Sequence, residues 1–422
     1  MKSVWLVLLG ALLFSVVSLP VVYVSYTIEH GSSEEDLFFG VTYGSNTTRG
    51  AKLLIDKVKG YTNLFVINSW DISTNETALT EICDYAVNAK MYVIVFFDFI
   101  FYNVTRNIGS SYNSSSWEEY GVTPWHIPWL NNAREKWGSN FLGVYLYDEP
   151  GGNQIDSGYW GGNNVTRAGR PIRTFENLSD YSDAANRFVS SIYSSRSMQL
   201  LTNSSVPNGI STKMPVFTSD YALYWFDYLS GYDVIFAELG WNNSRVAQIA
   251  LCRGAANMQE KQWGAIITWS FYEPPYITSG PEIFQDMIMA YSAGARYVIV
   301  FNYARYPETN PYSILTEEHF SAMKRFWNYI RAYPRSIYGK VYGKVAFVLP
   351  KDYGWGTRRT QHMIVDNIWG FWPEDEKTQI IGENMNKLIG KYGLKLDIIY
   401  DDNRFDSKGK YVEIYFWNST ID

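Results

Sequence analysis

Eight times between residues 37 and 304 the chain passes from an apolar, β-rich run through polar residues into a helical period. The runs are "LFFGVTYG" (37–44), "LFVINSWD" (64–71), "MYVIVFFDF" (91–99), "FLGVYLYDE" (141–149), "MPVFTSDYA" (214–222), "VIFAELGW" (234–241), "WGAIITWSFYE" (263–273) and "ARYVIVFNYA" (295–304). Such nearly continuous apolar character belongs to parallel strands covered on both faces. Between the runs, Asn75-Glu-Thr leads into "ALTEICDYAVNAK", "SRVAQIALCRGAANMQEK" follows run six, "GPEIFQDMIMAYSAG" follows run seven, and Thr316-Glu-Glu opens the closing helix. The helix after run five is short, around "YWFDYLSGY". Eight β–α units over about 300 residues predict an α/β fold, a (β/α)8 TIM barrel spanning 37–335. A doubly wound open sheet is the runner-up, since it rarely sustains eight uninterrupted repeats.

Two loops are long, from Ile100 to about Pro128 and from Pro150 to about Asn177. Both follow strands and so fall on the carboxyl face, where this fold keeps its active sites. From Tyr338 the pattern changes to a strand (344–350), a helix (378–393) and two more strands (394–401 and 410–418), a small α/β domain over 338–422. The intervening stretch carries Trp355, Arg358, Arg359, Trp369 and Trp372, and is expected to pack on the barrel and lend a Trp or Arg to its rim. Its Gly354-Trp-Gly lacks the third glycine and the ribose-binding acid of a dinucleotide fingerprint.

At the other end, residues 1–30 hold an uncharged stretch from Val4 to Ile28 behind Lys2. It reads as a signal peptide or as an uncleaved membrane anchor, and on either reading the bulk is exported. Nine sequons agree with an extracellular or cell-surface glycoprotein, at Asn46, Asn75, Asn103, Asn113, Asn164, Asn177, Asn203, Asn242 and Asn418. The net charge of −6, with no basic run, argues against a nucleic-acid partner. Cys83 and Cys252 fall on helices after runs two and six, on opposite sides of a ring, and are expected as free, buried thiols. The four histidines show no metal-ligand spacing, and neither a P-loop nor a G-x-S-x-G elbow occurs, so no metal or organic cofactor is expected.

In a barrel, chemistry depends on what ends each strand. The runs end in Asn68, Trp70 and Asp71, in Asp98, in Asp148 and Glu149, in Asp220 and Tyr221, in Glu238 and Trp241, in Trp269, Tyr272 and Glu273, and in Asn302, Tyr303 and Arg305. Carboxylates can do acid/base work and bind hydroxyls, while rings cover the apolar faces of sugars. Glycoside hydrolysis needs two carboxyl groups flanking the scissile bond, and crowding raises one pKa so that a pair divides the roles.

"YDEP" at strand four and "WSFYEPP" at strand seven resemble the retaining TIM-barrel glycoside hydrolases that include cellulases and β-galactosidases. The resemblance implies Glu149 as acid/base and Glu273 as nucleophile. The remaining strand-end residues Asp148, Glu238, Asp98, Asp220, Tyr221, Trp70, Trp241, Trp269, Tyr272 and Asn302 would bind substrate. Asp148 stands where that clan carries Asn. Adjacent Asp148 and Glu149 also resemble the substrate-assisted β-N-acetylhexosaminidases, in which the Asp orients the acetamide. A third arrangement pairs Glu149 with Glu238, as some α-glycosidase barrels pair acids on strands four and six. By layout alone, 338–422 resembles the amidotransferase-type layers behind some β-galactosidase barrels. The expected function is an extracellular glycoside hydrolase acting on a carbohydrate. The rival is an inactive surface barrel that binds glycans or serves in an envelope, beside other cell-surface proteins.

Overall fold

In a computed structural model the described residues are 37–97, 125–157, 178–205, 210–211, 213–241, 243–304, 310–359, 364–372 and 374–421. The N-terminal segment and the sequons Asn103, Asn113, Asn164, Asn177 and Asn242 lie outside them. The other four sequon asparagines, Asn46, Asn75, Asn203 and Asn418, are exposed. Among the described residues, no helix is long and apolar enough to cross a membrane.

Eight parallel strands close into a barrel: β1 (Phe38–Tyr43), β2 (Leu64–Ile67), β3 (Tyr92–Phe96), β4 (Phe141–Tyr145), β5 (Val216–Asp220), β6 (Val234–Leu239), β7 (Gln262–Ile267) and β8 (Tyr297–Val300). Closure is direct, with Phe38 to Val41 of β1 paired with Tyr297 to Val300 of β8. The (β/α)8 expectation therefore holds.

Period two divides each strand between two cores. Leu64 and Val66, Ile94 and Phe96, Val234 and Phe236, and Tyr297 and Ile299 fill the barrel interior, with Tyr145 and Phe217 among them. The alternate residues, such as Phe65, Val93, Ile235 and Val298, pack outward under the helices. This parity decides below which strand-end side chains reach the barrel's interior.

The helices start where the sequence marks them. Asn75 caps Glu76–Asn88 by accepting from the Ala78 amide at 3.0 Å, and Thr316 caps Glu317–Ala332 in a box with His319. Cys83 and Cys252 are buried, free thiols, as expected.

Beyond the barrel, β9 (Val345–Leu349), β12 (Leu396–Tyr400) and β13 (Glu413–Phe416) form a parallel sheet in the order β12-β9-β13, backed by the helix Glu376–Tyr392. β10 (Trp355–Arg359) and β11 (Ile364–Ile368) add an antiparallel hairpin. This layer docks on the outer helices and, through its hairpin, on the corner after β4, where Gly356 lies against Ile155 and Ala222 and Gln154 Nε2 donates to Trp369 O. Arg253, from the helix Arg245–Met258, is buried against Asp397 at 2.7 Å and also donates to the carbonyls of Leu394, Leu396 and Val341. Asn257 and Tyr411 complete the shell around Asp397. Removing one partner of a buried pair typically costs about 3–5 kcal/mol, so this contact fixes the layer in place. Trp369 is fully buried against Phe188 and Phe226 and so is not the residue of this stretch that could reach the rim. The side chains of Arg358 and Arg359 lie outside what the structure describes.

Candidate active site

The corner after β4 is built around a shared carboxylate. Pro150 does not open a loop, as its sequence context suggested, but begins the helix Pro150–Ser157. Proline suits a first helical turn because that position needs no N–H. The next two amides, of Gly151 and Gly152, donate to Asp220 Oδ2 and Oδ1 at 2.6 and 2.7 Å. The amides of Tyr221 and Ala222 reach the same carboxylate at 2.7 and 3.1 Å. A side chain at Gly151 would put Cβ 2.5 Å from the Ala222 carbonyl, and one at Gly152 would put it 2.2 Å from the Tyr221 ring. The glycines are there because β5 passes that close.

Asp220 is consequently not a substrate ligand. It is fully buried, all four of its donors are backbone amides, and it is out of phase with inward-facing Phe217. Burial still pushes its carboxyl up to about 7 against those four donors. Asp227, buried beside it, is held well above the usual carboxylate range, by burial first and then by the Asp220 charge. Tyr221 is likewise a support, since its hydroxyl donates to Asp156 of the same helix at 2.9 Å.

These contacts hold Glu149 in place. Its φ is +51° and that of Tyr147 is +54°. Left-handed backbone costs a non-glycine residue about 1–3 kcal/mol, so such conformers persist only where the surroundings fix them. Here the Glu149 amide donates to Ser219 O at 3.1 Å, Thr218 Oγ1 donates to Tyr147 O at 2.7 Å, and Asn153 Nδ2 donates to Asp148 O at 2.8 Å. Gln154 Nε2 donates to Trp369 O at 2.9 Å, tying the helix to the C-terminal layer.

Glu238 follows Val234 and Phe236 on the inward face of β6 and is 4% exposed. Its carboxyl is held well above the usual range, by burial first and then by the negative charges of Glu149 and Asp148. A line of oxygens joins this group to β4. Tyr145 Oη lies 2.8 Å from Asp148 Oδ1 and 2.7 Å from Ser219 Oγ, and Ser219 Oγ lies 2.7 Å from Glu238 Oε1. The structure therefore gathers Asp148, Glu149 and Glu238 into one acidic group at the carboxyl end of the barrel.

Glu273 is placed otherwise. β7 ends at Ile267, and Glu273 stands on an exposed turn closed by Ser270 N and Phe271 N donating to Tyr276 O. No hydrogen bond or ion pair joins its side chain to another described residue. Around it lies a rim of rings: Trp241 against Tyr272 at 4.7 Å, Trp269 near Phe301 at 6.1 Å and Tyr303 at 6.2 Å, and Phe301 stacked on Tyr303. Tyr272 is 51% exposed and Tyr303 41%. Trp70 is exposed on the turn after β2. Asn302 corrects another expectation. It is out of step with Ile299 and Phe301, 1% exposed, and its backbone is joined to Thr42 Oγ1. Asp98 lies outside the described residues.

No family model matches the chain, and no curated protein does. Solved structures do match. A GH5_18 protein of Streptomyces cattleya in complex with GlcNAc is 10% identical, with 91% of this chain and 99% of that one covered and a TM-score of 0.49. A GH5_18 protein of Bifidobacterium longum is 11% identical over 91% and 97%, with a TM-score of 0.48. A truncated 3-deoxy-D-arabino-heptulosonate 7-phosphate synthase of Thermotoga maritima is 9% identical over 75% and 94%, with a TM-score of 0.36. At these identities the likeness is one of fold.

Tyr145 and Ser219 escaped the sequence reading, because a tyrosine and a serine inside strands look like core and filler. Parity was the available signal: Ser219 is in phase with Phe217, and Glu238 with Phe236. Among the described residues, no three His, Cys, Asp or Glu side chains could hold a metal ion. A cavity of about 770 Å³ opens at the opposite, amino-terminal end of the strands, beside Arg134, Arg296 and the Lys213–Asp233–Lys261 ion pairs. That end of a barrel serves stability more than chemistry.

Proposed function

We propose that the protein is an exported glycoside hydrolase in which Glu149 is the acid/base and Glu238 the nucleophile of a retaining mechanism. One observation carries this reading: Glu238, directed into the barrel, is joined through Ser219 and Tyr145 to Asp148, the neighbour of Glu149 on the β4 corner. Burial and the neighbouring Glu149 and Asp148 charges hold the Glu238 carboxyl well above its usual range, the kind of crowding by which paired acids of glycosidases divide their roles. In the reactive form Glu238 is ionised and Glu149 protonated: Glu149 gives its proton to the glycosidic oxygen while a Glu238 carboxylate oxygen bonds to the anomeric carbon and the bond to the leaving alcohol breaks. Water, deprotonated by Glu149, next displaces Glu238 and releases the sugar. The rings of Tyr272, Trp241, Trp269 and Trp70 would stack on sugar faces, with Glu273 at the outer edge of that cleft. The exposed sequons and the N-terminal apolar segment support an extracellular or membrane-anchored glycoprotein.

A panel of aryl glycosides and oligosaccharides tests this. With a turned-over substrate, Glu149→Gln and Glu238→Gln should each lower kcat/KM by roughly 10²–10⁴-fold. Glu273→Gln should change it by less than about tenfold, the scale of one polar contact. Binding without turnover by the wild-type protein would instead identify a glycan-binding barrel.

A further inference from the structure

The oxygens of Asp148, Tyr145, Ser219 and Glu238 make three consecutive contacts of 2.8, 2.7 and 2.7 Å. Each contact at such a distance needs a hydrogen between its oxygens. The two hydroxyls supply one each, and the third can come only from a carboxyl group at one end. In addition, the Ser219 amide donates to Tyr145 Oη at 3.1 Å, which fixes the phenol in line. Tyr145, Ser219 and Glu238 are buried and Asp148 is half-buried, so an empty contact between lone pairs along the line would be costly.

We infer that Asp148, Tyr145, Ser219 and Glu238 form a proton relay that carries one proton beyond those of its hydroxyls and passes it between Glu238 and Asp148. This deepens the hydrolase reading and rests on it for its catalytic meaning. With the proton on Glu238 Oε1, Glu238 donates to Ser219, Ser219 to Tyr145 and Tyr145 to the Asp148 carboxylate. Transfer reverses every bond. Glu238 gives its proton to Ser219 Oγ, Ser219 gives its own to Tyr145 Oη, and Tyr145 gives its own to Asp148 Oδ1. Glu238 is then an anion held by the Ser219 hydroxyl, with its other oxygen available to attack, and Asp148 is neutral. The buried site keeps its net charge throughout.

The groups facing Glu238 explain why such a device is needed. Glu149 and Asp148 from the β4 corner and Asp220 from β5 all oppose its ionisation, and the phenols of Tyr145 and Tyr224 supply no cation. Among the described residues no Lys or Arg forms an ion pair with it. Moving the proton to Asp148 removes one of the opposing charges in the same step that creates the new one. Asp148 in place of the usual asparagine of "NEP" is what the relay requires, because an amide could not take up the proton.

Infrared difference spectroscopy of the unliganded protein at neutral pH tests the relay without requiring activity. A carboxylic-acid carbonyl band should be present, shift in deuterium oxide and vanish in Glu238→Gln. It should move to higher frequency in both Tyr145→Phe and Ser219→Ala, as the hydrogen-bonded line is cut. Two substitutions guard against failure of either one to fold. Should the protein hydrolyse glycosides, both should also lower kcat about 10–100-fold with KM little changed, and displace the acid limb of the pH profile to higher pH. Absence of a band assignable to Glu238, or a band indifferent to both substitutions, would overturn the relay. A band that behaves as described in a protein inactive on every glycoside would leave the relay standing and remove the hydrolase reading.

Discussion

The corner after β4 and the turn after β7 both end in a glutamate followed by proline, Glu149-Pro150 and Glu273-Pro274, yet they are built in opposite ways. Glu149 sits between a strand and a helix, and Asp220, Ser219, Thr218, Asn153 and Gln154 all hold that junction. Glu273 stands on an exposed turn beside a rim of rings, and its side chain has no hydrogen bond or ion pair among the described residues. Catalysis needs groups fixed to fractions of an ångström, whereas a binding rim tolerates movement. On the proposed hydrolase reading, the contrast puts the chemistry on the β4–β6 side and contact with the sugar on the β7 side.

The largest test of that contrast is the ratio of effects at its two ends. Glu238→Gln and Glu149→Gln should each cost at least about 10²-fold in kcat/KM, and Glu273→Gln less than about tenfold. Comparable losses at Glu273 and Glu238 would break the contrast.

Next comes the frame of the β4 corner. Asp220→Ala would strand the amides of Gly151, Gly152, Tyr221 and Ala222, and should destabilise the fold by about 3–5 kcal/mol in chemical denaturation. Gly152→Ala, driving a methyl into the Tyr221 ring, should cost about 1–3 kcal/mol. Phe271→Ala, on the exposed β7 turn, should cost under about 0.5 kcal/mol.

The same frame has a pH signature. Asp220 and Asp227 both bind a proton more tightly folded than unfolded. The stability they contribute is therefore complete below the ordinary aspartate pKa, 3.8, and is lost as pH rises through their raised folded-state values, about 7 for Asp220. Denaturation midpoints should fall over that window, and Asp227→Asn should flatten the fall. An unchanged slope in Asp227→Asn would contradict the pairing.

The smallest effect belongs to the rim. Tyr272→Ala should weaken saccharide binding by about 1 kcal/mol, read by calorimetry, and leave kcat nearly unchanged.

How much of this was legible beforehand differs between the same two regions. The barrel was plain in the sequence, because eight strands buried on both faces leave eight apolar runs. The β7 run misled, since "TWSFYE" continues the aromatic, β-prone character of "WGAII" although the strand ends at Ile267. An aromatic rim and a buried strand look alike in composition. At β4 the two carboxyl groups were legible as a site, but the glycines were not legible as a clamp, because their partner Asp220 lies some seventy residues away. Counting strand parity would have separated inward Glu238 from outward Asp220. It could not have found the Tyr145–Ser219 link, which depends on how β4 and β5 are staggered.

The most direct measurement is identification of the covalent intermediate. Incubation with an activated 2-deoxy-2-fluoro glycoside of the sugar turned over fastest should trap a glycosyl-enzyme, and peptide mass spectrometry should find the sugar on Glu238. The sugar on Glu273 would contradict the account.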